Sequence, residues 1–289
     1  MNEMSVEHMV LYRFGLASMV MLPLALWHWR FMHFTVPELR DLLLSAALGI
    51  PVQFLIQFHG LALTTVSHAA LMIGAMPVLL AVAATLFSGE RMNRFCWTTL
   101  WISTLGAALV SLGGRHGSTA QGEPSLAGDL LVLSSLFSSL TWVLMNKKLM
   151  KNHPPSVITS LTILSGTAML ALWVLTPWLL HLLLPNMTSA VAAPPVAHLS
   201  RTAWMALIAS GLLCTATTTF LWNLGIHRVP ASRAGILLNL EPALGSVLGV
   251  TLLGEHLGPL AWAGGSLILG AAIALTLRSN SPTPETLME

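Results

Sequence analysis

Charged residues are scarce in this sequence. Only 8% of the 289 residues are Asp, Glu, Lys or Arg, whereas 55% are hydrophobic and the mean hydropathy is +0.76. A soluble domain carries about three times that charged fraction, so the composition excludes an ordinary soluble protein. Apolar windows of about 18 residues or more recur along the chain, and each can cross a bilayer as a helix. The sequence therefore predicts an all-α polytopic membrane protein.

Cysteine and the common catalytic motifs are also scarce or missing. Cys96 and Cys214 have no CxxC or Cys/His spacing, so we expect two buried thiols. The sequence contains no HExxH, no GxSxG and no acidic pair suited to a metal and a diphosphate. These absences favour a protein that is not an enzyme. We expect no cofactor, no metal ion and no nucleic-acid partner.

Nine apolar windows are long enough to be membrane spans. Between these windows the chain has only two extended polar loops, residues 113–128 and 185–201. No room is left for a separate soluble domain. Any function must therefore lie within the helix bundle. The nine windows are residues 9–29, 42–63, 67–88, 95–112, 126–145, 157–180, 203–224, 231–253 and 260–277.

Basic residues indicate the orientation of the chain, because Lys and Arg are retained on the cytoplasmic side of a membrane. If the first connection is cytoplasmic, alternate connections and the tail collect ten of the 13 basic residues. The opposite side receives only Arg115 and Arg201, and Arg13 lies within the first span. This distribution predicts an external N-terminus and a cytoplasmic C-terminus, for a protein that we expect in the inner cell membrane.

An internal repeat relates two parts of the chain at an offset of 165 residues. Between residues 60 and 107, ten of 48 positions are identical to their counterparts without a gap. Basic residues lie at opposite ends of the two copies, so we expect the repeats to be inverted in the membrane, as in secondary transporters. The shared residues include Pro77 with Pro242, Gly89-Glu90 with Gly254-Glu255, and Trp97 with Trp262.

The repeat also predicts the domain organisation. An inversion needs an odd number of spans in each copy, but the first copy contains four and the second five. We therefore expect a further helix to precede Met1. The predicted regions are a first repeat at residues 1–113, a connecting loop at 114–127, a second repeat at 128–277 and a polar tail at 278–289.

Several stretches resemble a known family. "LYRFGLASMVMLPLAL" and "LWNLGIHRVPASRAGILLNLEPALGSVLGVTLLGEHLGPLAW" are similar to EamA-type permeases of the drug/metabolite transporter superfamily. The resemblance extends from about residue 9 to residue 277, and it is most specific at Glu241-Pro242, Gly254-Glu255 and Trp262. It implies a ten-helix fold of two inverted five-helix repeats that moves small metabolites, often outward.

Polar side chains at helical spacing are the candidate substrate-binding residues. A carrier must replace part of the hydration of its solute within the membrane, and Gln53 and Gln57, for example, share one helix face. A structural interpretation stays open for each residue, because buried hydroxyls often bond to their own helix and a core histidine is usually hydrogen-bonded. The candidates are Gln53, Gln57, His59, Ser138, Trp142, Thr218, Trp222 and Asn239.

Glu241 lies near the middle of the eighth predicted span. A carboxylate there has to be protonated, paired or hydrated, and Arg13 and His59 are candidate partners. Three interpretations stay open, namely proton coupling or substrate contact, a structural hydrogen bond to a neighbouring helix, and exposure of the side chain to lipid. Its repeat counterpart is Met76, so the shared fold does not require the carboxylate.

Paired prolines and glycines complete the set of candidates. Pro77 and Pro242 each remove a backbone donor near the centre of a span, which is typical of a packing kink or of a hinge. The two Gly-Glu pairs follow their spans as helix-ending turns do, so we expect Gly89, Glu90, Gly254 and Glu255 to be structural.

These patterns predict an integral membrane transporter, an exporter of small metabolites or drug-like solutes that works by alternating access around a midplane cavity. Its expected partners are the small-molecule solute and the lipid bilayer. Proton coupling and the oligomeric state stay open at this point. Two alternatives are a membrane-embedded transferase-type enzyme and a non-transporting membrane partner protein.

Overall fold

A computed structural model shows that the chain is helical. It describes residues 4–28, 33–64, 69, 72–87, 89–90, 92–113, 125–183, 200–241, 243–244, 247 and 258–279. No β-strand occurs within these ranges. Five helical stretches are long and apolar enough to cross a membrane, and shorter apolar helices accompany them. The prediction of an all-α polytopic membrane protein is confirmed.

Each of the nine predicted windows overlaps at least one described helix. Several helices begin at residues that favour this position, since Ser5 and Ser200 accept hydrogen bonds from backbone N–H groups in the first turns that follow them. The helices are α1 (Val6–Trp27), α2 (Val36–Ala47), α3 (Gln53–Leu63), α4 (Met76–Phe87), α5 (Arg94–Gly113), α6 (Leu126–Leu149), α7 (Pro155–Leu183), α8 (Arg201–Ala209), α9 (Thr218–Arg228), α10 (Ala231–Leu238) and α11 (Pro259–Ser279).

Two spans change from α-helix to π-helix and back. The first π segment, Leu48–Val52, joins α2 to α3, and the second π segment, Ser210–Thr217, joins α8 to α9. A π-helix bonds each N–H to the carbonyl five residues earlier, and such short segments are frequent at functional sites. Pro51 lies within the first π segment and has no N–H to donate. The hydrophobic pattern does not predict either segment.

The offset of 165 residues also relates the bounds of the helices. α2 and α8 begin at equivalent residues, α5 and α11 do so too, and α3 and α9 coincide over their whole length. The first π segment corresponds to residues 213–217, which lie inside the second π segment. The α2–α3 and α8–α9 spans therefore share backbone geometry, although their sequences differ at most positions.

Residue contacts divide the chain into two compact units. Unit 1 contains Met1–Ala62 and Leu130–Arg228, and unit 2 contains Leu63–Asp129 and Val229–Glu289. Each sequence repeat contributes helices to both units. The two compact units therefore do not coincide with the two sequence repeats.

Unit 1 has its core where α1 packs along α7 and against the second π segment. Val10, Phe14 and Leu170 are buried there. α7 also approaches the first π segment closely, because a Cβ atom at Gly166 would lie 2.6 Å from Cδ1 of Ile50. The core of unit 1 thus holds both π segments in place.

Unit 2 is built around the packing of α5 on α11. A Cβ atom at Gly106 would lie 2.7 Å from the carbonyl oxygen of Gly264, so the two backbones touch. Cys96 is buried in this unit, as expected. Cys214, in the second π segment of unit 1, is exposed. The expectation of two buried thiols is therefore wrong for Cys214, which lies on an outward face of its span.

Candidate functional site

Four predicted substrate-binding residues occupy equivalent positions in the two related spans. Gln53 begins α3 and Thr218 begins α9, each directly after a π segment. Gln57 and Trp222 follow one turn later and are related by the same offset. The four predicted residues therefore lie at matching positions along two spans of unit 1, just after the π segments.

Arg13 of α1 reaches the second π segment. Its Nε donates a hydrogen bond of 2.6 Å to Oγ1 of Thr215, and that hydroxyl donates to the carbonyl oxygen of Ser210 at 3.0 Å. The guanidinium also lies over the ring of Phe54, with Cζ 5.4 Å from the ring centroid, at the distance of a cation–π interaction. Contacts among α1, the second π segment and α3 thus fix the plane of the Arg13 guanidinium.

The outer edge of the Arg13 guanidinium is free of protein acceptors in the part of the chain that the structure describes. There, the side chain makes a hydrogen bond through Nε alone, and no carboxylate lies within ion-pair distance. Nη1 and Nη2 therefore keep four N–H donors for another acceptor. The sequence places Arg13 in a span as a candidate partner of Glu241, but it does not predict the contact with Thr215.

α6 faces the first π segment with Ser138 and Trp142. Ser138 donates to the carbonyl oxygen of Leu48 at 2.7 Å, which satisfies a backbone acceptor. The indole of Trp142 packs on Gly49, with Nε1 2.8 Å from the position that a Cβ atom would occupy. Of the two predicted residues on α6, Ser138 thus has a structural partner within the protein.

Two predicted residues of unit 1 carry buried polar atoms without partners. Nε1 of Trp142 and Oε1 of Gln53 have no hydrogen-bond partner among the described residues. Buried polar atoms in folded proteins are almost always paired with protein or water. The donor on α6 and the acceptor on α3 are therefore polar groups whose partners are not found among the described residues.

Other polar residues of unit 1 tie helices together. Ser45 donates to Oδ1 of Asn146 at 2.7 Å, and Asn223 donates to Oγ1 of Thr159 at 2.9 Å. All four side chains are buried. The sequence pattern does not predict the pair of Asn223 and Thr159, because the partners lie 64 positions apart and neither belongs to a polar stripe.

The remaining candidates of unit 1 lie nearer the surface. His59 is exposed, and its Nε2 lies 3.1 Å from Oε1 of Glu7. Thr218 is exposed as well, and its hydroxyl donates to the carbonyl oxygen of Leu213 at 2.9 Å. Gln57 and Trp222 are half-buried. His59, a predicted partner of Glu241, thus faces Glu7 instead.

In unit 2, Asn239 and Pro77 contact neighbouring helices. Asn239 is buried and donates to Oγ of Ser103 at 2.7 Å, which joins α10 to α5. The carbonyl oxygen of Pro77 lies 2.8 Å from the position of a Cβ atom on Gly235, so α4 packs directly on α10. The side chain of Glu241, just beyond α10, is exposed.

The turn after α4 has the geometry of a helix end. Gly89 has a φ of 65°, the left-handed conformation that favours glycine, and the N–H of Glu90 bonds to the carbonyl oxygen of Ala84. Oε1 of Glu90 accepts from the N–H of Ala231 at 2.9 Å and so caps α10. Three further predicted residues, Pro242, Gly254 and Glu255, lie outside the described residues.

Comparison with known proteins gives consistent results. The profile of the EamA-like transporter family matches residues 1–112 and 126–277. The uncharacterized transporter YdfC of Bacillus subtilis is 26% identical over 285 residues, which cover 95% of this chain and 83% of that protein. A solved crystal structure superposes with a TM-score of 0.72 at 18% identity and covers 96% of this chain and 90% of its own. That structure supports the fold alone.

Two further relatives have names that state a transported solute. A probable terminal-alkyne amino-acid exporter of Streptantibioticus cattleyicolor is 26% identical and covers 84% of this chain and 76% of that protein. A probable amino-acid metabolite efflux pump of Salmonella typhimurium is 26% identical over 66% of this chain and 60% of its own length. Because the family profile matches almost the whole chain, this membrane protein belongs to the EamA-like transporter family.

Proposed function

We propose that this protein exports small organic solutes across a bacterial inner membrane by alternating access. The observation that carries the proposal is the pair of spans α2–α3 and α8–α9, each interrupted by a π segment at the same repeat position. Transporters built from inverted repeats place substrate groups where such related helices are broken near mid-membrane. Gln53, which has an unpaired Oε1, directly follows the first π segment, and Trp142, which has an unpaired Nε1, packs on Gly49 of the same segment.

Outward transport of amino-acid-like solutes is supported by the names of two relatives. Both relatives are 26% identical to this chain over the aligned residues, which supports the direction and the broad solute class. The basic residues on alternate connections support a cytoplasmic C-terminus, so the solute would be taken up at the face that carries most Lys and Arg.

The test is flux through the purified full-length protein in liposomes. A panel of radiolabelled amino acids, amines and drug-like cations is loaded, and efflux is measured against protein-free liposomes. We expect saturable efflux of at least one small amphipathic solute. An absence of protein-dependent flux across the whole panel would contradict the transport proposal.

We further propose that Glu241 is the protonation site if transport is proton-driven. Its carboxylate lies in an apolar stretch, it is exposed, and its repeat counterpart is Met76, so it serves no shared packing role. Glu241→Gln should abolish the response of flux to a pH gradient, whereas Glu241→Asp should retain it. Equal pH-driven flux in the Gln variant and the unmodified protein would remove Glu241 from coupling.

A further inference from the structure

We propose that Arg13 recognises a carboxylate of the transported solute, and this inference rests on the proposed transport function. The side chain comes from α1, which packs against the second π segment within unit 1. Its contacts with Thr215 and Phe54 hold the guanidinium in one orientation. A guanidinium that is held in one orientation, with the N–H groups of Nη1 and Nη2 unpaired among the described residues, is expected to bind an oxyanion.

The donor geometry of Arg13 matches a carboxylate. A guanidinium has five N–H donors in a planar fork, and Thr215 accepts the one at Nε. Phe54 covers one face of the plane. Among the described residues, none accepts a hydrogen bond from Nη1 or Nη2. Two parallel bonds from these nitrogens to the two oxygens of a carboxylate are the strong, bidentate arrangement for such a pair.

The position of Arg13 in a membrane span supports the same conclusion. A charged side chain within a span is costly, and it normally faces the bundle or a water-filled cavity and pairs with another group. Within the described ranges, Thr215 and Phe54 provide a neutral hydroxyl and a neutral ring, and no carboxylate faces the guanidinium. A solute carboxylate would supply the missing negative charge during transport.

Thr215 is the positioning residue for this interaction. Its hydroxyl accepts from Nε of Arg13 and donates to the carbonyl oxygen of Ser210, so both the hydroxyl and the guanidinium are oriented. Thr217 makes the same kind of bond, to the carbonyl oxygen of Leu212, in the same π segment without contacting Arg13. Thr217 is therefore a matched control for the backbone effects of changing Thr215.

The first experiment measures occupancy at Arg13 without requiring transport. The purified full-length protein is treated with phenylglyoxal, which modifies arginine, and Arg13 and the exposed Arg40 are followed by peptide mass spectrometry. Hydrophobic amino acids, 2-oxo acids and acetate are compared with leucinamide and with methylphosphonate. Carboxylates should slow modification of Arg13 but not of Arg40, and leucinamide should not.

Three results of this experiment would overturn the inference. Equal modification rates of Arg13 with and without every carboxylate would show that no carboxylate binds there. Protection by methylphosphonate alone would assign the site to phosphorus oxyanions instead of carboxylates. Protection of Arg40 to the same extent as Arg13 would show a nonspecific effect of the anions and would also count against the proposal.

The second experiment compares variants in the liposome assay. For a carboxylate solute, Arg13→Gln and Thr215→Val should raise KM by about tenfold to a hundredfold, as expected for loss of a charged hydrogen bond. Arg13→Lys should restore part of the affinity, because it keeps the charge and loses the fork. Thr215→Ser should restore most of it, and Thr217→Val should leave KM unchanged.

The outcomes separate this inference from the transport proposal. Flux of carboxylate solutes with an unchanged KM in Arg13→Gln would contradict the inference and leave the transport function intact. Flux of solutes without a carboxylate, together with no protection of Arg13, would do the same. An absence of all flux would contradict the transport function, and the phenylglyoxal experiment would then decide the role of Arg13 by itself.

Discussion

At the scale of single residues, hydrogen-bond partners distinguish structural polar side chains from available ones. Ser138 and Asn239 have the same sequence character as Gln53 and Trp142, since all four are polar or amphipathic residues in apolar spans. Ser138 and Asn239 donate to groups on neighbouring helices. Gln53 and Trp142 retain buried atoms without partners in the described part of the chain. Helical spacing is the same in both cases, so only tertiary contacts separate them.

Asn239→Ala should lower stability without changing solute preference. The variant loses the 2.7 Å bond to Ser103 between α10 and α5, and we expect a loss of about 1–3 kcal/mol. Thr104→Val should cost less, because Thr104 lies 3.4 Å from the same amide. Melting temperature in detergent and the efflux profile are the measurements. A changed solute profile at unchanged stability would assign Asn239 to the binding site instead.

Gly49→Ala should destabilise unit 1 by overpacking. The new Cβ atom would overlap the indole ring of Trp142, and we expect a cost of about 1–3 kcal/mol. Gly15→Ala, which has open space around it, should instead stabilise α1 by about 0.5–1 kcal/mol. The melting temperatures of the two variants should therefore shift in opposite directions. Trp142→Leu should rescue Gly49→Ala, and failure of this rescue would contradict the contact.

At the scale of elements, the start of α2 is tied to the turn between α6 and α7. Thr35 and Glu38 form a capping box, in which Oε2 of Glu38 accepts from the N–H of Thr35 at 2.9 Å. Oε1 of the same carboxylate accepts from Asn152 at 2.9 Å. Asp41 pairs with Lys148 at 2.8 Å. The start of α2 thus contacts α6 and the turn that follows it, both from the other sequence repeat.

Glu38→Ala should destabilise the protein more than Asp41→Asn. The first change removes a helix cap and the acceptor of Asn152, with an expected cost of about 0.5–2 kcal/mol for the cap. The second weakens an ion pair with an exposed lysine, which contributes about 0–1 kcal/mol. Thermal unfolding in detergent measures both. Equal losses, or a larger loss in Asp41→Asn, would show that the cap is not the main contribution.

The π segments are the elements that sequence reasoning missed. Pro51 signals a break in the first, but the second contains no proline, and its residues are ordinary for an apolar helix. A π-helical turn is stabilised by neighbours that bond its side chains or its backbone carbonyl groups. Arg13 at Thr215 and Ser138 at Leu48 are such neighbours, and each is distant in sequence. Local propensity therefore cannot reveal the segments.

At the scale of the whole molecule, the placement of basic residues predicts a cytoplasmic C-terminus. In a protein with Cys96 and Cys214 replaced by serine, Ser118→Cys should react with an impermeant maleimide in intact cells. Ser281→Cys should react only after the cells are permeabilised. The reverse labelling pattern would contradict the predicted orientation, and labelling of both residues in intact cells would contradict the odd number of spans between them.

The fold class and the family follow from features spread along the chain. Apolar windows, the repeat and the family-like motifs involve many residues each, so the failure of one signal leaves the others intact. The candidate site cannot be recognised in this way, because each of its residues is a single polar side chain and not part of a pattern that many residues share. Thr215, which holds Arg13, is one hydroxyl among several in its span, and only its contact with α1 distinguishes it from Thr217.

The sequence by itself determined that this chain is a polytopic helical membrane protein, because apolar composition reports directly on burial in a bilayer. It also contained the internal repeat at an offset of 165 residues and the motifs that resemble the EamA-like family. Tertiary structure alone decided that both repeats contribute to each compact unit, where the helices bend and which polar atoms stay unpaired. These properties depend on packing between helices far apart in sequence. The donor edge of Arg13 is the clearest example, since its orientation comes from Thr215, 202 positions away.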